Sequence, residues 1–401
     1  MTRPADSASL RGLVFTRQFP NPSQPHRGTF VVEQMRATDT DVAWRAIAPV
    51  PWVPRALSGV SGRPYVTGPD TMFGWHVDRP RYPVLPRRAL YATVSASMAR
   101  ASAAAFARAL ERHRPDFVHA HELYPSGAAA VSLAGRTGVP VIVTVHGSDL
   151  YSNLAKPSWT AALCDAASRA AAVVCVGTQL AEDCVRELGI AREHVRVIPD
   201  AFDDGIYAPY VRETHGGPTR LLSIGRLVPE KGHDLLLEAV ARIITDGSDI
   251  ELQIVGGGAL EGDLRVKAAA LSLGDHVRFL GALTGEAMLA AMHRADLYVQ
   301  ASRREGFGLA LVEAMATGLP AVATDSGGPG EILTPETGVL VVPGRVDALA
   351  EGIEQALDRL GTFDPEAISR SVTARFGRAA VGAQLLGLYR DVAGGKGASD
   401  G

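Results

Sequence analysis

Short apolar runs alternate with longer amphipathic stretches along most of the chain. In the first half the runs are GLVF (12–15), VAWRAI (42–47), FVHAH (117–121), PVIVTV (140–145), AVVCVG (172–177) and VRVI (195–198). In the second half they are RLLSIG (220–225), IELQIVG (250–256), VRFLG (277–281), DLYVQAS (296–302), PAVAT (320–324) and GVLVVP (338–343). Between them lie helical stretches such as QLAEDCVREL and DLLLEAVARII, the latter with apolar residues near i, i+3, i+4 and i+7. This alternation predicts parallel sheets with crossover helices.

One stretch interrupts the alternation and predicts a linker. Residues 199–219, PDAFDDGIYAPYVRETHGGPT, are rich in prolines, glycines and acids. A chain of 401 residues also suits two domains better than one. We therefore expect two doubly wound α/β domains, 1–205 and 206–377. A last helix, at about 378–395, packs back on the first domain or stays with the second.

Residues 50–90 match neither a strand nor a helix pattern, and we expect an irregular loop there. The segment carries aromatic and basic side chains: Trp52, Trp75, His76, Arg79, Arg81, Arg87 and Arg88. Long loops inside a domain are often functional. A packed loop and a contact with an acceptor or a membrane surface both remain open.

Composition and charge exclude several classes of protein. The formal net charge of -3, from 40 basic and 43 acidic residues, gives no electrostatic reason to expect a nucleic-acid partner. The N-terminus lacks the apolar core of a signal peptide, and no apolar stretch reaches the length of a membrane span. Cys164, Cys175 and Cys184 form no Cys-x-x-Cys pair, which favours reduced, buried thiols. We expect a cytoplasmic protein.

Loops that directly follow strands are the first candidates for chemistry, because ligands of open α/β sheets bind beyond the carboxyl ends of the strands. With two such sheets, we expect the site in the cleft between them. HGSD follows PVIVTV and places His146 and Asp149 there. Either these side chains face the cleft, or His146 is satisfied by backbone and Asp149 caps the next helix.

The loop after RLLSIG predicts an anion site. Arg226 follows the strand, and Lys231 lies at a helix start, where free amides add to the two positive charges. The pattern suits a diphosphate, with solvated surface charges as the alternative. No glycine-rich turn precedes the lysine as in a Walker loop. Gly256, Gly257 and Gly258 do not have the spacing of a dinucleotide fingerprint, so we interpret them as a tight turn.

REGFGLALVE places Glu305 and Glu313 on either side of a glycine-flanked phenylalanine. Two nearby acids first suggest a general acid and base. However, the amides from Gly306 to Leu309 fall at a helix start, where donors lack intrahelical partners. Glu313 lies on a mostly apolar helix and would need partners such as ribose hydroxyls if it faced inward. The alternative is a solvent-facing Glu313. The glycines of DSGGPGEI, further on, indicate a tight turn or a close approach to a ligand.

Taken together, HGSD, GRLVPEKGHDLLLEA, VGGG, VRFLG and EGFGLALVEAMATGLPAVATDSGGPGEIL resemble the retaining glycosyltransferases of family 4. The resemblance is strongest over 219–343. FPNPSQPHRGTFVVEQMRA and HAHELYPSGAAA are similar to a bacterial branch that builds surface polysaccharides. The resemblance implies the GT-B fold, in which two Rossmann-like domains face each other across a cleft.

The resemblance also assigns roles to residues. Arg226 and Lys231 bind the diphosphate, Glu313 binds the ribose, and Glu305 with the following amides binds the donor sugar. His146 faces that sugar near its anomeric carbon. The donor-binding residues are Gly28, Gly225, Arg226, Lys231, Glu305, Gly306, Phe307, Gly308, Leu309 and Glu313. The catalytic set is His146, Glu305, Arg226 and Lys231. The acceptor-side candidates are Asp149, Trp52 and Trp75.

By the same resemblance, the activity is retaining, metal-independent transfer of a sugar, of hexosyl type, from a nucleotide-diphosphate sugar to a hydroxyl acceptor. The acceptor is a glycan, a lipid-linked sugar or a small molecule, and no cofactor is expected. The basic residues near 79–88 suit peripheral contact with the inner membrane face. The alternatives are a sugar-nucleotide epimerase, a phosphorylase or a non-catalytic sugar-nucleotide-binding protein. The oligomeric state stays open.

The chain departs from the family pattern at two places. The first loop offers only Gly28 where the family often has paired glycines. The usual Asn-Gly-Val-Asp before the linker is replaced by DAFDD, which leaves Asp200 and Asp203 without an assigned role.

Overall fold

A computed structural model describes residues 10–22, 24, 26–52, 69–84, 93–154, 157–210, 212 and 216–395. The chain divides into two compact units. The first comprises Met1–Ala201 and Arg378–Gly401, and the second comprises Phe202–Gly377. The division after Ala201 falls inside the predicted linker.

The first unit is built on one large sheet. The strands of this unit are β1 (Leu10–Phe15), β2 (Val42–Ile47), β3 (Val50–Trp52), β4 (Asp70–Met72), β5 (Trp75–Asp78), β6 (Arg81–Pro83), β7 (Phe117–His121), β8 (Val141–Val145), β9 (Ala172–Cys175) and β10 (Val195–Val197). The sheet has the order β10-β9-β8-β7-β1-β2-β5-β4, and β3 pairs separately with β6. All pairs are parallel except β4 with β5. The strand order reverses between β1 and β7, where ligands of such sheets bind.

Crossover helices connect these strands. They are α1 (Thr29–Arg36), α2 (Val94–Arg112), α3 (Ala128–Ala134), α4 (Ser148–Tyr151), α5 (Pro157–Arg169) and α6 (Thr178–Leu188). Among the described residues, no helix is long and apolar enough to cross a membrane.

The prediction of an irregular loop over residues 50–90 is wrong for 50–52 and for most of 70–83, which form β3, β4, β5 and β6. These strands are only three or four residues long, too short for a clear alternating pattern. Arg79 is not a surface cation, because its side chain is 1% exposed and ion-pairs with Asp70. It also donates to the backbone oxygen of Pro20. Arg87 and Arg88 lie outside the described residues.

The second unit is a parallel sheet covered by helices. Its strands are β11 (Thr219–Ile224), β12 (Ile250–Val255), β13 (Val277–Gly281), β14 (Leu297–Gln300), β15 (Ala321–Thr324) and β16 (Gly338–Val341). Their order is β13-β12-β11-β14-β15-β16, so the order reverses between β11 and β14. Its helices are α7 (His233–Thr245), α8 (Glu261–Ala270), α9 (Gly285–Arg294), α10 (Leu309–Ala316), α11 (Gly328–Ile332), α12 (Val346–Asp358) and α13 (Pro365–Phe376). The predicted α/β class with parallel sheets is confirmed.

Arg212 ties the start of the second unit to its helices. Its guanidinium donates to the backbone oxygens of Ala295 at 2.8 Å, Thr317 at 3.2 Å and Met292 at 3.3 Å. Burial lowers the pKa of Arg212 to about 10. The bonds add to those of the carbonyl groups at the ends of α9 and α10, where the Met292 oxygen also accepts from the Ala295 amide and the Thr317 oxygen from the Tyr210 amide.

The last helix, α14 (Arg378–Gly394), contributes to the core of the first unit. The ring of Tyr389 stacks on Phe117 with centroids 4.4 Å apart, and Trp44 meets both rings edge-on. Val381 and Leu385 are fully buried in the same core. The final segment of the sequence therefore completes the first unit rather than the second.

Candidate functional site

In the second unit, the loop after β11 carries the two predicted cations. Arg226 is exposed, and no carboxylate pairs with it within the part of the chain that the structure describes. Lys231 ends a tight turn that leads to Gly232, whose φ is +64°. A Cβ on Gly232 would lie 2.0 Å from the backbone oxygen of Ala301. Glycine is therefore required there, and it brings the Lys231 turn against the segment that follows β14.

This contact brings Lys231 and Glu305 together at the strand reversal. The Lys231 ammonium donates to Oε2 of Glu305, which also accepts from Ser302 Oγ at 3.1 Å. Both side chains are more than three-quarters buried, with 23% and 14% exposed. Glu305 therefore lies as a paired carboxylate at the place where a doubly wound sheet binds its ligand.

The glycine turn of DSGGPGEI packs against the loop that carries Glu305. The backbone amide of Glu305 donates to the backbone oxygen of Ser326. The Gly328 amide donates to the backbone oxygen of Glu305 at 3.1 Å. A Cβ on Gly327 or Gly328 would lie 2.5 Å or 2.0 Å from the oxygens of Glu305 and Phe307, respectively. These glycines therefore allow a close approach to backbone of the Glu305 loop, and the predicted close approach to a ligand stays a prediction.

The loop then enters α10 through Gly308, which has φ +108° and provides no side-chain cap. The first amides of α10, beginning with Leu309, therefore lack intrahelical partners. The Phe307 ring is buried and packs edge-on against Phe376 at 5.2 Å, so only the backbone of Phe307 remains for a ligand. The geometry is that of an amide-lined helix start.

Glu313 is half-buried, one turn into α10. Burial raises the pKa of the nearby Tyr298 phenol, and the charges of Glu305 and Glu313 raise it further. Both carboxylates therefore lie near one buried phenol. Tyr298 donates to the backbone oxygen of Ile224 at 3.4 Å, at the end of β11.

His233, at the start of α7, is a residue that the sequence patterns did not single out. It is buried, and burial followed by the charge of Lys231 lowers its pKa to about 4. A Cβ on Gly225 would lie 3.5 Å from His233 Nε2. A neutral imidazole therefore supports the loop that carries Arg226. The sequence EKGH places His233 two residues after Lys231, and this position could have indicated that it lies near the site.

In the first unit, the HGSD turn is held by Asp149. The turn begins at Gly147, with φ +96°, which glycine tolerates without strain. The Asp149 carboxylate accepts from the amides of His146 at 3.0 Å and Leu123 at 2.7 Å. It is buried, and burial raises its pKa. Asp149, an acceptor-side candidate, thus fastens the loop after β8 to the loop after β7.

The His146 ring lies between a carboxylate and a second imidazole. Its Nδ1 is 3.3 Å from Asp200 Oδ2, and its Nε2 is 3.3 Å from His121 Nδ1. Phe30 of α1 packs on it with centroids 4.3 Å apart. Asp200 and His121 are contacts that the sequence did not assign, because they join residues far apart in the chain.

The row of rings continues inward. His121 stacks on His119, whose Nδ1 is 2.9 Å from the Tyr389 hydroxyl. Burial lowers the pKa of His121 well below its usual value, and lowers that of His119 to about 3. Burial also acts to lower the pKa of His146, but the carboxylates around it, above all Asp200, outweigh this and raise the pKa overall.

Arg17 and Glu122 form a second ion pair at a strand reversal. Arg17 follows β1 and Glu122 follows β7, and they join through two bonds of 2.8 Å and 3.0 Å. Gln18 also donates to Glu122 at 2.8 Å. Arg17 and Glu122 each follow a strand at the reversal. The expectation that functional residues directly follow strands, which indicated HGSD, could therefore have indicated them too.

The remaining candidates of the first unit lie elsewhere in it. Gly28, with φ +69°, begins α1, and a Cβ there would lie 2.1 Å from the Gln18 oxygen. Trp52 is exposed at the end of β3, and Trp75 faces Phe73 in the β4–β5 hairpin. No group of three or more His, Cys, Asp or Glu side chains in the described part of the chain could hold a metal.

Known families match most of the chain. Residues 211–361 match the family Glycosyl transferases group 1, and residues 68–205 match Glycosyltransferase Family 4. Alpha-D-kanosaminyltransferase of Streptomyces kanamyceticus is 29% identical over 69% of this chain and 77% of its own length. Glycogen synthase of Mycobacterium tuberculosis is 30% identical over 65% of this chain, and the match spans 63% of that protein.

Solved structures share the fold. Sucrose-phosphate synthase from Thermosynechococcus elongatus superposes with a TM-score of 0.78 at 21% identity, covering 95% of this chain and 98% of that one. Anabaena HepE, in complex with UDP and glucose, gives a TM-score of 0.71 at 18% identity over 95% and 100% of the two chains. The two sheets are thus those of the GT-B fold, and the chain belongs to the glycosyltransferases of family 4.

Proposed function

We propose that the protein transfers a sugar from a nucleotide-diphosphate sugar to a hydroxyl acceptor with retention of anomeric configuration. The observation that carries this proposal is the Lys231–Glu305 pair at the β11/β14 reversal, beside the exposed Arg226 and the amide-lined start of α10. A cation pair with free amides suits a diphosphate, and a shielded carboxylate suits sugar hydroxyls. HepE, bound to UDP and glucose, is a fold relative that holds this class of ligand.

In this mechanism, negative charge grows on the departing diphosphate as the sugar acquires oxocarbenium character. Arg226 and Lys231 stabilise that charge as preorganised groups. Glu305 holds the sugar hydroxyls, and Glu313 the ribose. We also assign His146 to the catalytic set. The leaving phosphate takes the proton of the acceptor hydroxyl on the same face of the sugar. We propose that neither a metal nor a cofactor takes part.

Lys231 and Ser302 both donate to the Oε2 oxygen of Glu305 and fix the carboxylate in the orientation in which we propose that it accepts from sugar hydroxyls. We therefore assign Glu305 and Glu313 to one donor clamp rather than to an acid–base pair. For the acceptor we propose the hydroxyl of a glycan, a lipid-linked sugar or a small molecule, as in a surface-polysaccharide branch of the family.

A panel of UDP-, GDP-, ADP- and dTDP-sugars tests the donor class by thermal stabilisation, because a ligand that binds the folded state raises its melting temperature. We expect one nucleotide class to stabilise the protein and Arg226→Met to abolish the shift. Stabilisation by no member of the panel would contradict the proposal.

Transfer is then measured with the stabilising donor and a mixture of glycoside acceptors. We expect Glu305→Ala to nearly abolish product, whereas Glu238→Ala, which removes the carboxylate of the half-buried Lys267 pair, leaves turnover unchanged. The anomeric coupling of the product by NMR decides between retention and inversion. Product formed without acceptor, or only with phosphate, would instead indicate an epimerase or a phosphorylase.

A further inference from the structure

Asp200 meets the imidazole of His146 in the interior of the first unit. Oδ2 lies 3.3 Å from Nδ1, and the two side chains are 8% and 12% exposed. The other carboxylate oxygen accepts from Gln34 Nε2 of α1 at 2.9 Å. Both oxygens of Asp200 are therefore engaged, and the carboxylate is fixed from two sides.

Asp200 belongs to a segment in which this chain departs from the family pattern. DAFDD stands where the family pattern has Asn-Gly-Val-Asp, so Asp200 replaces an uncharged amide. An asparagine can orient an imidazole by a hydrogen bond, but only a carboxylate also stabilises its positive charge.

We propose that Asp200 is the positioning residue of His146, and that its carboxylate accepts the Nδ1 hydrogen and stabilises the imidazolium form of the ring. The inference rests on the proposed function, because it concerns a residue that we assign to the catalytic set there. Asp200 acts only through His146 and makes no substrate contact itself.

The groups around His146 are consistent with this assignment. Asp149 faces it from α4, and Glu122, paired with Arg17, lies at the end of β7. Phe30 and Gln34 approach from α1, and they are uncharged.

His119 and His121 are the remaining titratable neighbours, and burial holds both neutral. With Nδ1 fixed by Asp200, Nε2 is the atom of His146 that gains or loses the hydrogen. The charged ring donates Nε2–H to His121 Nδ1, and the neutral ring accepts from it. His121 changes tautomer but not charge.

NMR of protein labelled with ¹⁵N-histidine tests the pair directly, with His146→Gln to assign the resonances. In the wild type we expect His146 to titrate above its ordinary value, with Nδ1 protonated on both sides of the transition. Asp200→Asn should lower the midpoint by about one pH unit or more, because either orientation of the amide lacks the charge. Asp41→Asn, at an exposed pair with Arg390, is the matched control and should leave the midpoint unchanged.

An unchanged midpoint in Asp200→Asn would overturn the inference. If that variant does not fold, the wild-type spectra decide alone, since an unprotonated Nδ1 in the neutral form would also overturn it.

The activity readout is the pH profile of kcat/KM. In the wild type it should fall on the alkaline side as His146 loses its proton, and in Asp200→Asn the fall should begin at lower pH. A profile unmoved by Asp200→Asn would contradict the role in transfer. Absence of transfer in the wild type with every donor would refute the proposed function, while the NMR titration still decides the pairing.

Discussion

Replacing Lys231 by methionine separates the two roles of its ion pair. The substitution keeps an unbranched side chain as far as the ε position but removes the ammonium, leaving the Glu305 carboxylate, 14% exposed, with Ser302. Loss of one preorganised group that stabilises transition-state charge costs about 10²–10³-fold in kcat, or about 3–4 kcal/mol. We expect a loss of that size for Lys231→Met.

The stability cost should be smaller. Breaking a fully buried pair costs about 3–5 kcal/mol, and this pair keeps some contact with solvent, so we expect about 1–3 kcal/mol. Lys267→Met is the matched control, because Lys267 pairs with Glu238 in the same unit with 31% and 40% of the side chains exposed. That pair should be worth at most about 1 kcal/mol, with no effect on turnover.

The assay combines kcat and KM at saturating acceptor with urea unfolding. Lys231→Met/Glu305→Gln removes both charges, so it should recover most of the lost stability but none of the activity. Turnover of Lys231→Met within about tenfold of wild type, or recovery of activity in the double variant, would refute the reasoning.

Three further predictions concern stability and metals. Arg212→Leu removes the donor that the carbonyls of Ala295, Thr317 and Met292 share and should cost on the order of 3 kcal/mol in urea unfolding, whereas Arg278→Leu, at an exposed pair, should be near neutral. The pKa of His233 is about 4 in the folded chain, below the unfolded value, so protonation favours unfolding. Because of this group, the free energy of unfolding should therefore fall by on the order of 3 kcal/mol as the pH drops from 6.5 to 4. His233→Leu should flatten the plot of unfolding free energy against pH over that range. Transfer should be unchanged by EDTA, and a loss that added divalent metal restores would contradict metal independence.

Patterns within single segments predicted the fold well. β2, β7 and β13 have the predicted bounds, because each is a short apolar run between clear turns. The loops of Lys231 and Glu305 could also be recognised, since each directly follows a strand. The pairing of Lys231 with Glu305 could not be predicted in the same way, because it depends on β11 and β14 being neighbours in the sheet.

Contacts between distant segments were beyond the sequence. Asp200 and His146 are separated by 54 residues, and nothing in DAFDD indicates which of its acids turns inward. Arg79 seemed a surface cation because its burial depends on Asp70 and on Pro20, neither of which forms a pattern with it. Pairing of this kind is set by the packed chain, not by local periodicity.

The position of α14 also bears on the order in which the protein matures during synthesis. Residues 378–394 leave the ribosome after the whole second unit, yet they bring Tyr389 to Phe117 and to the ring of His119. Until then the first unit has an open core, and its row of imidazoles lacks the terminal hydroxyl. A nascent chain can therefore complete the loops of Lys231 and Glu305 in the second unit while the core around the histidines of the first is still unfinished.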